Sequence, residues 1–265
     1  MLAAPPSAEI LTLGSVSIRW YGLILAVALL SGVLLAQRLG KRVGIAPEKL
    51  VDLAIIAAVL GVVGARLAHV AQTWGYYQTH LLEILQLWKG GLAFHGVLAG
   101  GLLALWLYSR RQRIPWRTLL DISFPALALG QVIGRWGNWV NQELYGRPTS
   151  VPWALNIDPA HRLPGYEAFS TFHPLFLYES LANGIILIIL LLMWRKKGLQ
   201  PGTVAAVYLI LSPSVRFGLD FLRLQQTQIG TFTVAQILSP VLVAAGVALL
   251  LSNRSHSKDQ LYVQK

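Results

Sequence analysis

The chain alternates long apolar stretches with shorter polar connections. Seven stretches approach the roughly 20 apolar residues that a helix needs to cross a bilayer. The fourth stretch is short, and Ser212-Pro213-Ser214 interrupts the sixth. The pattern predicts an all-α membrane protein with seven transmembrane helices, in the stretches Trp20–Gln37, Leu53–Ala71, Leu92–Tyr108, Leu119–Ile133, Pro174–Trp194, Gly202–Leu222 and Phe232–Leu251.

The positions of the charges predict how these helices are oriented. With the N-terminus placed outside, 14 of the 22 Lys and Arg fall in the inner loops and tail, against four acidic residues there. This side therefore carries +10 of the net charge of +11. The asymmetry follows the positive-inside rule, so we expect the N-terminus outside and the C-terminus in the cytoplasm. It also accounts for the net charge without a nucleic-acid partner.

Composition narrows the class of protein further. Of the 265 residues, 55% are hydrophobic and 12% are charged, whereas a soluble domain carries about 25% charged residues. These values exclude a water-soluble globule and a disordered chain. They predict a single integral membrane domain over residues 1–265. The chain has no cysteine, so thiol chemistry requires a thiol from the substrate.

A long segment between the fourth and fifth stretches, residues 134–173, is rich in Gly, Pro, Asn and aromatic residues. Trp and Tyr favour the membrane interface. The segment therefore predicts a small extracytoplasmic cap.

Several arginines lie at the outer ends of the predicted helices or in the outer loops. A charge within the bilayer costs about 2.5–3.5 kcal/mol unless it snorkels or pairs. Each arginine taken singly is equally well explained as a structural, ion-paired residue. Together they predict an anion site, because planar guanidinium groups bind phosphate in a bidentate manner. They are Arg66, Arg135, Arg147, Arg162, Arg216 and Arg223.

Arg216, Asp220 and Arg223 have the spacing i, i+4 and i+7, which places them on one face of a helix. One interpretation is a pair of phosphate-binding arginines oriented by a carboxylate. The alternative is a self-neutralising salt-bridge stripe. Pro213, just upstream, favours the first, because bent membrane helices are tolerated where they line a cavity.

The densest polar cluster lies where the fourth stretch reaches the outer side. Within thirteen residues it holds an arginine, two asparagines, a glutamate and several glycines, which allow close backbone approach. Such groups are costly beside an apolar span unless they are satisfied. The candidate binding residues of this cluster are Arg135, Asn138, Asn141, Glu143 and Gly146.

Four further residues lie at the same predicted depth. His95 has a pKa suited to general-base catalysis, although a lone histidine is more often a structural core residue. His173 and Glu179 open the fifth stretch, and we expect Glu179 to pair with an arginine. Tyr21 is either an interfacial aromatic residue or a headgroup ligand.

Other classes of membrane protein fit less well. All seven lysines lie in loops, helix ends or the tail, which disfavours a retinal protein. The histidines lack metal-ligand spacing, so no metal site is predicted. A transporter of anionic solutes is the best alternative, but we find no inverted repeat.

The sequence resembles the prolipoprotein diacylglyceryl transferase family of bacterial inner-membrane enzymes. The resemblance rests on the pattern Gly134-Arg135-x-Gly137-Asn138-x-x-Asn141-x-Glu143-x-x-Gly146 and on Phe94-His95-Gly96. His173-Pro174 with Leu177-Tyr178-Glu179, and the arginine stripe of the sixth stretch, extend it over nearly the whole chain.

The resemblance implies transfer of the sn-1,2-diacylglyceryl group from phosphatidylglycerol to the lipobox cysteine of a prolipoprotein signal peptide. A thioether forms, glycerol 1-phosphate leaves, and no cofactor is needed. It implies catalytic roles for His95, Arg135 and Arg216, on the outer side of the cytoplasmic membrane. Headgroup binding then falls to Tyr21, Arg135, Asn138, Asn141, Glu143, Gly146 and Arg223, with His173, Glu179 and Asp220 in support.

Overall fold

The fold is predominantly helical. A computed structural model describes residues 2, 8–13, 16–196, 198–224 and 228–263. The helices are α1 (Trp20–Lys41), α2 (Pro47–Gln72), the short α3 (Trp74–Tyr77), α4 (Phe94–Gln112), α5 (Trp116–Val140), α6 (Leu175–Met193), α7 (Thr203–Asp220) and α8 (Val234–Val263). Three antiparallel strand pairs accompany them: β1 (Glu9–Leu13) with β2 (Val16–Arg19), β3 (Leu155–Asn156) with β4 (Thr171–Phe172), and β5 (Gln228–Ile229) with β6 (Phe232–Thr233).

Each of the seven apolar stretches coincides over most of its length with one of the long helices, and four of them extend one or two residues beyond a helix end. Four helices are long and apolar enough to cross a membrane, namely α1, α2, α6 and the Val234–Asn253 part of α8. The helices α4, α5 and α7 correspond to the other three stretches and carry more polar residues.

The chain forms two compact units. One comprises residues 36–122, and the other comprises residues 1–35 together with residues 123–265.

In the 36–122 unit, α2 packs closely against α4 through glycines. Gly61 and Gly64 of α2 face Gly96 and Gly100 of α4. A Cβ at Gly100 would lie 2.6 Å from the carbonyl carbon of Leu60 and 3.0 Å from Cα of Gly61. Small residues allow membrane helices to approach closely enough for van der Waals packing to hold them together. Gly96, which follows His95 in the Phe-His-Gly motif, therefore serves this helix contact.

In the larger unit, α5, α6 and α7 share an apolar core. Its buried members are Ala128 of α5, Ile186 and Leu190 of α6, and Val204 and Tyr208 of α7. A second cluster lies under the segment that precedes α6. Its buried members are Tyr145, Leu155, Ile157, Phe172 and Phe176. This second core fixes the residue 141–174 segment against the beginning of α6.

Two helices, α5 and α7, are continuous where the sequence pattern predicts a helix end or an interruption. Helix α5 continues to Val140, so residues 134–140 of the predicted cap are helical and Arg135 and Asn138 lie on a helix. Glycine weakens a helix by only about 1 kcal/mol, and no proline follows Pro125 in α5. Helix α7 is likewise continuous through Ser212-Pro213-Ser214, because a single proline removes one hydrogen bond without ending a packed helix.

The glycine contact between α2 and α4 predicts the stability of two neighbouring variants. Gly100→Ala places a methyl group against the backbone of α2 and is expected to destabilise the protein by about 1–3 kcal/mol. Gly101→Ala has open space at its Cβ and serves as the matched control, since both changes raise helix propensity equally. Thermal unfolding of the full chain in detergent measures the difference. Equal midpoints for the two variants would contradict close packing at Gly100.

Candidate active site

Three helices of the larger unit bring charged side chains together. Arg135 lies in the last turns of α5, and Glu179 lies in the second turn of α6. Arg216 and Asp220 lie at the end of α7, and Arg223 lies three residues beyond it. We call these five residues the charged cluster.

Glu179 is the shared partner of all three arginines. Its Oε2 lies 2.5 Å from Nε of Arg135, and its Oε1 lies 2.6 Å from Nη2 of Arg223 and 3.7 Å from Nη1 of Arg216. The residue is only 5% exposed. A buried carboxylate is costly unless it is paired and hydrogen-bonded, and here both oxygens are satisfied by guanidinium groups. The predicted pairing of Glu179 with an arginine is confirmed.

Asp220 is the second carboxylate of the cluster and is almost completely buried. Its Oδ1 lies 3.5 Å from Nη2 of Arg216, and its Oδ2 accepts a hydrogen bond of 2.5 Å from Oγ1 of Thr233. The i, i+4 pair of the predicted stripe is therefore present. Arg223 departs from it, because α7 ends at Asp220 and the guanidinium group turns to Glu179 instead. The bond to Glu179 of α6 shows that the pairing of Arg223 extends beyond a stripe on one helix.

The charged cluster has more donors than acceptors. Three guanidinium groups face two carboxylates, which leaves one positive charge in excess. Within the described residues, Nη1 of Arg216 and Nε of Arg223 are buried and have no hydrogen-bond partner. Buried donors in native proteins are nearly always paired, so each exception requires an explanation. A positive surplus with unfilled guanidinium donors is typical of a site for an anion with several oxygens.

A chain of side-chain hydrogen bonds extends from the cluster along the glycine-rich signature. Nη1 of Arg135 donates to Oδ1 of Asn138 at 3.2 Å, and Nδ2 of Asn138 donates to Oε1 of Glu143 at 2.9 Å. Nδ2 of Asn141 lies 3.5 Å from the same oxygen. Asn138 is buried, whereas Glu143 is exposed. The chain therefore fixes the orientation of Arg135 and ends in a carboxylate that solvent or a ligand can reach.

Two glycines of the signature allow close contacts. A Cβ at Gly137 would lie 2.7 Å from the ring of Tyr21, so this aromatic side chain packs directly on α5, two residues after Arg135. A Cβ at Gly146 would lie 2.8 Å from Cβ of His173 and 3.0 Å from the carbonyl oxygen of Leu222. Gly146 also forms a backbone bridge with Arg223. Gly146 thus helps to hold Arg223 in place, although it contributes no side chain.

His173 precedes the cluster residue Glu179 by six residues and contacts a different set of groups. Its Nδ1 lies 3.2 Å from the hydroxyl of Tyr178, which also accepts a hydrogen bond of 2.7 Å from Nε1 of Trp153. Burial lowers the pKa of His173, so the neutral imidazole is favoured near neutral pH. These contacts give His173 a supporting role at the start of α6.

His95 belongs to the 36–122 unit, where it is the second residue of α4 and has an exposed side chain.

Two of the predicted outer arginines are structural. Arg66 is 5% exposed and donates to the carbonyl oxygens of Glu83, Ile84 and Gly90 at 2.5–2.8 Å. Arg162 donates to the carbonyl oxygens of Ile157 and Glu167 at 3.0 Å. Backbone carbonyls occupy all the N–H donors of Arg66, so the prediction that Arg66 joins an anion site is wrong, whereas in Arg162 they occupy only Nε and one donor of Nη1. Arg147 is exposed.

Sequence reasoning missed Thr233, which hydrogen-bonds Asp220 from the turn before α8. The Thr233-x-x-Gln236 pattern is typical of a cap at the start of α8, where the two residues bond to each other, but the bond to Asp220 depends on the tertiary contact between α7 and α8.

Comparison with known proteins identifies clear relatives. The sequence profile of prolipoprotein diacylglyceryl transferases matches residues 8–252. A phosphatidylglycerol–prolipoprotein diacylglyceryl transferase of Thermosynechococcus vestitus is 42% identical over 237 residues, covering 89% of this chain and 88% of the relative. The protein of the same name from Gloeobacter violaceus is 39% identical over 258 residues, covering 96% of each chain. The one from Fervidobacterium nodosum is 38% identical over 240 residues, covering 90% of this chain and 82% of the relative.

The shared carboxylate predicts a large effect of Glu179→Gln. The substitution leaves three arginines with Asp220 alone, and removing one partner of a buried ion pair costs about 3–5 kcal/mol. Thermal unfolding of the full chain in detergent measures this loss. Glu143→Gln is the matched control, because Glu143 is exposed and accepts only from amide groups. Similar midpoints for the two variants would show that Glu179 does not hold the arginines together.

Proposed function

The chain belongs to the prolipoprotein diacylglyceryl transferase family, and from this membership we propose that the charged cluster is the site of its reaction. The enzyme transfers the diacylglyceryl group from phosphatidylglycerol to a prolipoprotein. The observation that carries the assignment of the site is the pair of unfilled guanidinium donors, on Arg216 and Arg223, in a cluster with one surplus positive charge. The phosphodiester of phosphatidylglycerol carries one negative charge and free oxygens, which match both deficits.

The chemistry of the step follows from the two substrates. The sulfur of a lipobox cysteine in the signal peptide attacks the glycerol carbon that bears the phosphate. A carbon–sulfur bond forms, the carbon–oxygen bond to phosphate breaks, and glycerol 1-phosphate leaves with the electron pair. The thiol proton passes to a base. The products are a thioether-linked diacylglyceryl group and a phosphate monoester, and no cofactor takes part.

Arg135 and Arg216 stabilise the charge that grows on the departing phosphate, and Arg223 supports them. Fixed donors directed at developing charge contribute about 2.7–4 kcal/mol each. Glu179 and Asp220 hold the guanidinium groups in place before the lipid arrives, so little reorganisation is needed during the reaction. His173 supports the start of the helix that carries Glu179.

The headgroup glycerol binds along the hydrogen-bond chain that leaves Arg135. Glu143 and the amides of Asn138 and Asn141 offer acceptors and donors to its hydroxyl groups. Tyr21, packed on Gly137, and the backbone at Gly146 border the same region. These residues recognise the headgroup, whereas the arginines recognise the phosphate.

The chain forms a single membrane domain with seven spanning helices in this proposal. The N-terminus lies outside, the C-terminus lies in the cytoplasm, and residues 134–173 form a cap on the outer face of the bacterial inner membrane. The support comes from the basic inner loops and from the position of the charged cluster at the helix ends that face the cap. Placing arginines at helix ends avoids the cost of charge near the bilayer centre.

The test of the proposed function uses the purified full chain in phosphatidylglycerol liposomes with a lipobox peptide that contains one cysteine. Mass spectrometry is expected to show a diacylglyceryl mass gain on the peptide. The same peptide with Cys→Ser is the control and must remain unmodified, because the hydroxyl is a much weaker nucleophile than the thiol. Modification of the serine peptide would exclude thioether formation.

In the same assay, Arg135→Lys tests the role of the guanidinium group. Lysine keeps the charge but loses the fork geometry that holds both Glu179 and a phosphate. A loss of about 100-fold or more in kcat is expected, which is the lower end for one transition-state donor. The control is Arg162→Lys, whose arginine binds only backbone carbonyls. Normal turnover by Arg135→Lys would exclude bidentate phosphate recognition at this residue.

His95 is assigned as the base that takes the thiol proton. A free thiol has a pKa near 8.5, so little thiolate exists at neutral pH. His95→Gln is therefore expected to lower kcat/KM about 100-fold at pH 7 and to recover as the pH rises toward 9. His161→Gln, another exposed histidine, is the control. Full turnover by His95→Gln at pH 7 would mean that the arginines alone activate the thiol.

A further inference from the structure

A second polar group lies one helical turn from the charged cluster, toward the middle of α5 and α7. Gln131 precedes Arg135 by four residues, and Ser212 precedes Arg216 by four residues. The hydroxyl of Tyr208, which precedes Ser212 by four residues on α7, donates to Oε1 of Gln131 at 3.2 Å. We call Gln131, Tyr208 and Ser212 the polar triad.

The triad lies against the apolar core of the larger unit. Tyr208 is 6% exposed, its ring stacks on Phe124 with centroids 4.7 Å apart, and it belongs to the buried cluster with Ala128 and Ile186. Polar groups in such surroundings cost several kcal/mol each unless their hydrogen bonds are made. A hydrogen-bonded network there is therefore expected to be complete or to be completed by a ligand.

Counting donors and acceptors shows that the triad is incomplete. The hydroxyl of Tyr208 has its acceptor within the triad, because it donates to Oε1 of Gln131. The carboxamide oxygen of Gln131 accepts the hydrogen bond from Tyr208, so the two N–H donors of Nε2 are still available for a ligand. Among the described residues, no acceptor for Nε2 of Gln131 is found. Gln131 is half-buried, so a ligand can reach this nitrogen.

We propose that Nε2 of Gln131 donates a hydrogen bond to an acyl ester carbonyl of the lipid whose phosphate is bound by the charged cluster. This inference rests on the proposed function of that cluster. In phosphatidylglycerol, the nearest ester is attached to the carbon next to the one that reacts. Four residues of helix rise about 6 Å, so a group one turn below the arginines lies at the level of this ester when the phosphate is bound above.

The other two members of the triad act through Gln131. Tyr208 is a positioning residue, because its hydrogen bond takes the carboxamide oxygen and thereby directs the amide nitrogen toward the substrate. Ser212 lies one turn beyond Tyr208 on the same face of α7. The triad thus gives the site a preference for diacyl lipids over lipids with the same headgroup but no carbonyl groups.

The experiment compares two donor lipids in the liposome assay, diester phosphatidylglycerol and its dialkyl ether analogue. They share the phosphate, the headgroup and the chain length, and they differ in the ester carbonyls. For the unmodified enzyme we expect KM for the diether to be about fivefold higher at similar kcat, the size expected for one neutral hydrogen bond. Turnover of the diester itself tests the proposed function separately.

The variants assign this preference to the triad. Gln131→Met keeps the length of the side chain without its donors and is expected to bring the KM ratio of the two lipids close to one, by raising KM for the diester only. Tyr208→Phe keeps the ring on Phe124 and is expected to reduce the ratio partly. Ser214→Ala, on the exposed side of α7, is the matched control and is expected to keep the full ratio.

Because the ratio is measured within each variant, a general loss of folded protein cancels. Equal KM for the two lipids with the unmodified enzyme would overturn the proposal. So would a Gln131→Met variant that keeps the fivefold ratio, or one that loses activity equally with both lipids. If Gln131→Met yields no folded protein, the shorter Gln131→Asn variant decides the matter through its reduced ratio. If the diester is not transferred at all, the proposed function fails.

Discussion

The carboxylate of Glu179 is the interaction on which the site depends. It lies between arginines from α5, from α7 and from the turn after α7. Its oxygens lie 2.5 Å from Arg135 and 2.6 Å from Arg223. Without this carboxylate, the three neighbouring guanidinium groups would repel one another. One carboxylate, even with Asp220 nearby, does not neutralise them. Glu179 therefore holds the three guanidinium groups together, and the cluster still keeps a positive charge. A phosphate site requires both properties.

The loop that follows α5 completes this arrangement by placing backbone where side chains would not fit. Gln142 and Leu144 adopt positive φ angles of 50° and 54°, which turn the chain sharply after the helix. Gly146 then passes between His173 and the backbone at Leu222, with its N–H donating to the carbonyl of His173 at 2.9 Å. Arg147 N–H donates to the carbonyl of Leu222. The turn after α7 is thus held by the loop after α5, and Arg223 reaches Glu179 because of it.

The sequence predicted the parts of this site that local pattern determines. Apolar stretches located the long helices, and the cost of an isolated buried carboxylate predicted that Glu179 pairs with an arginine. It did not predict which arginines. Arg66 and Arg223 are both arginines near apolar spans, but Arg66 binds backbone carbonyls and Arg223 binds Glu179. The difference depends on which loop packs nearby. The end of α7 at Asp220 was missed for a similar reason, since the contact with Gly146 is far away in sequence.

The order of polarity along α5 and α7 also constrains what the site can bind. Charged residues lie near the ends of both helices, hydrogen-bonding neutral groups lie one turn inward, and apolar residues such as Ala128 and Val204 lie further on. Charge is least costly near the end of a membrane helix, so the anionic part of a ligand is accommodated best at this level. Neutral donors cost less to bury, so the less polar part of a ligand is met at the next level. On both helices the polarity decreases from the C-terminal end toward the middle. A ligand that matches both helices must therefore change from anionic to apolar over a few ångströms. A phospholipid has this gradient, and a small soluble anion does not.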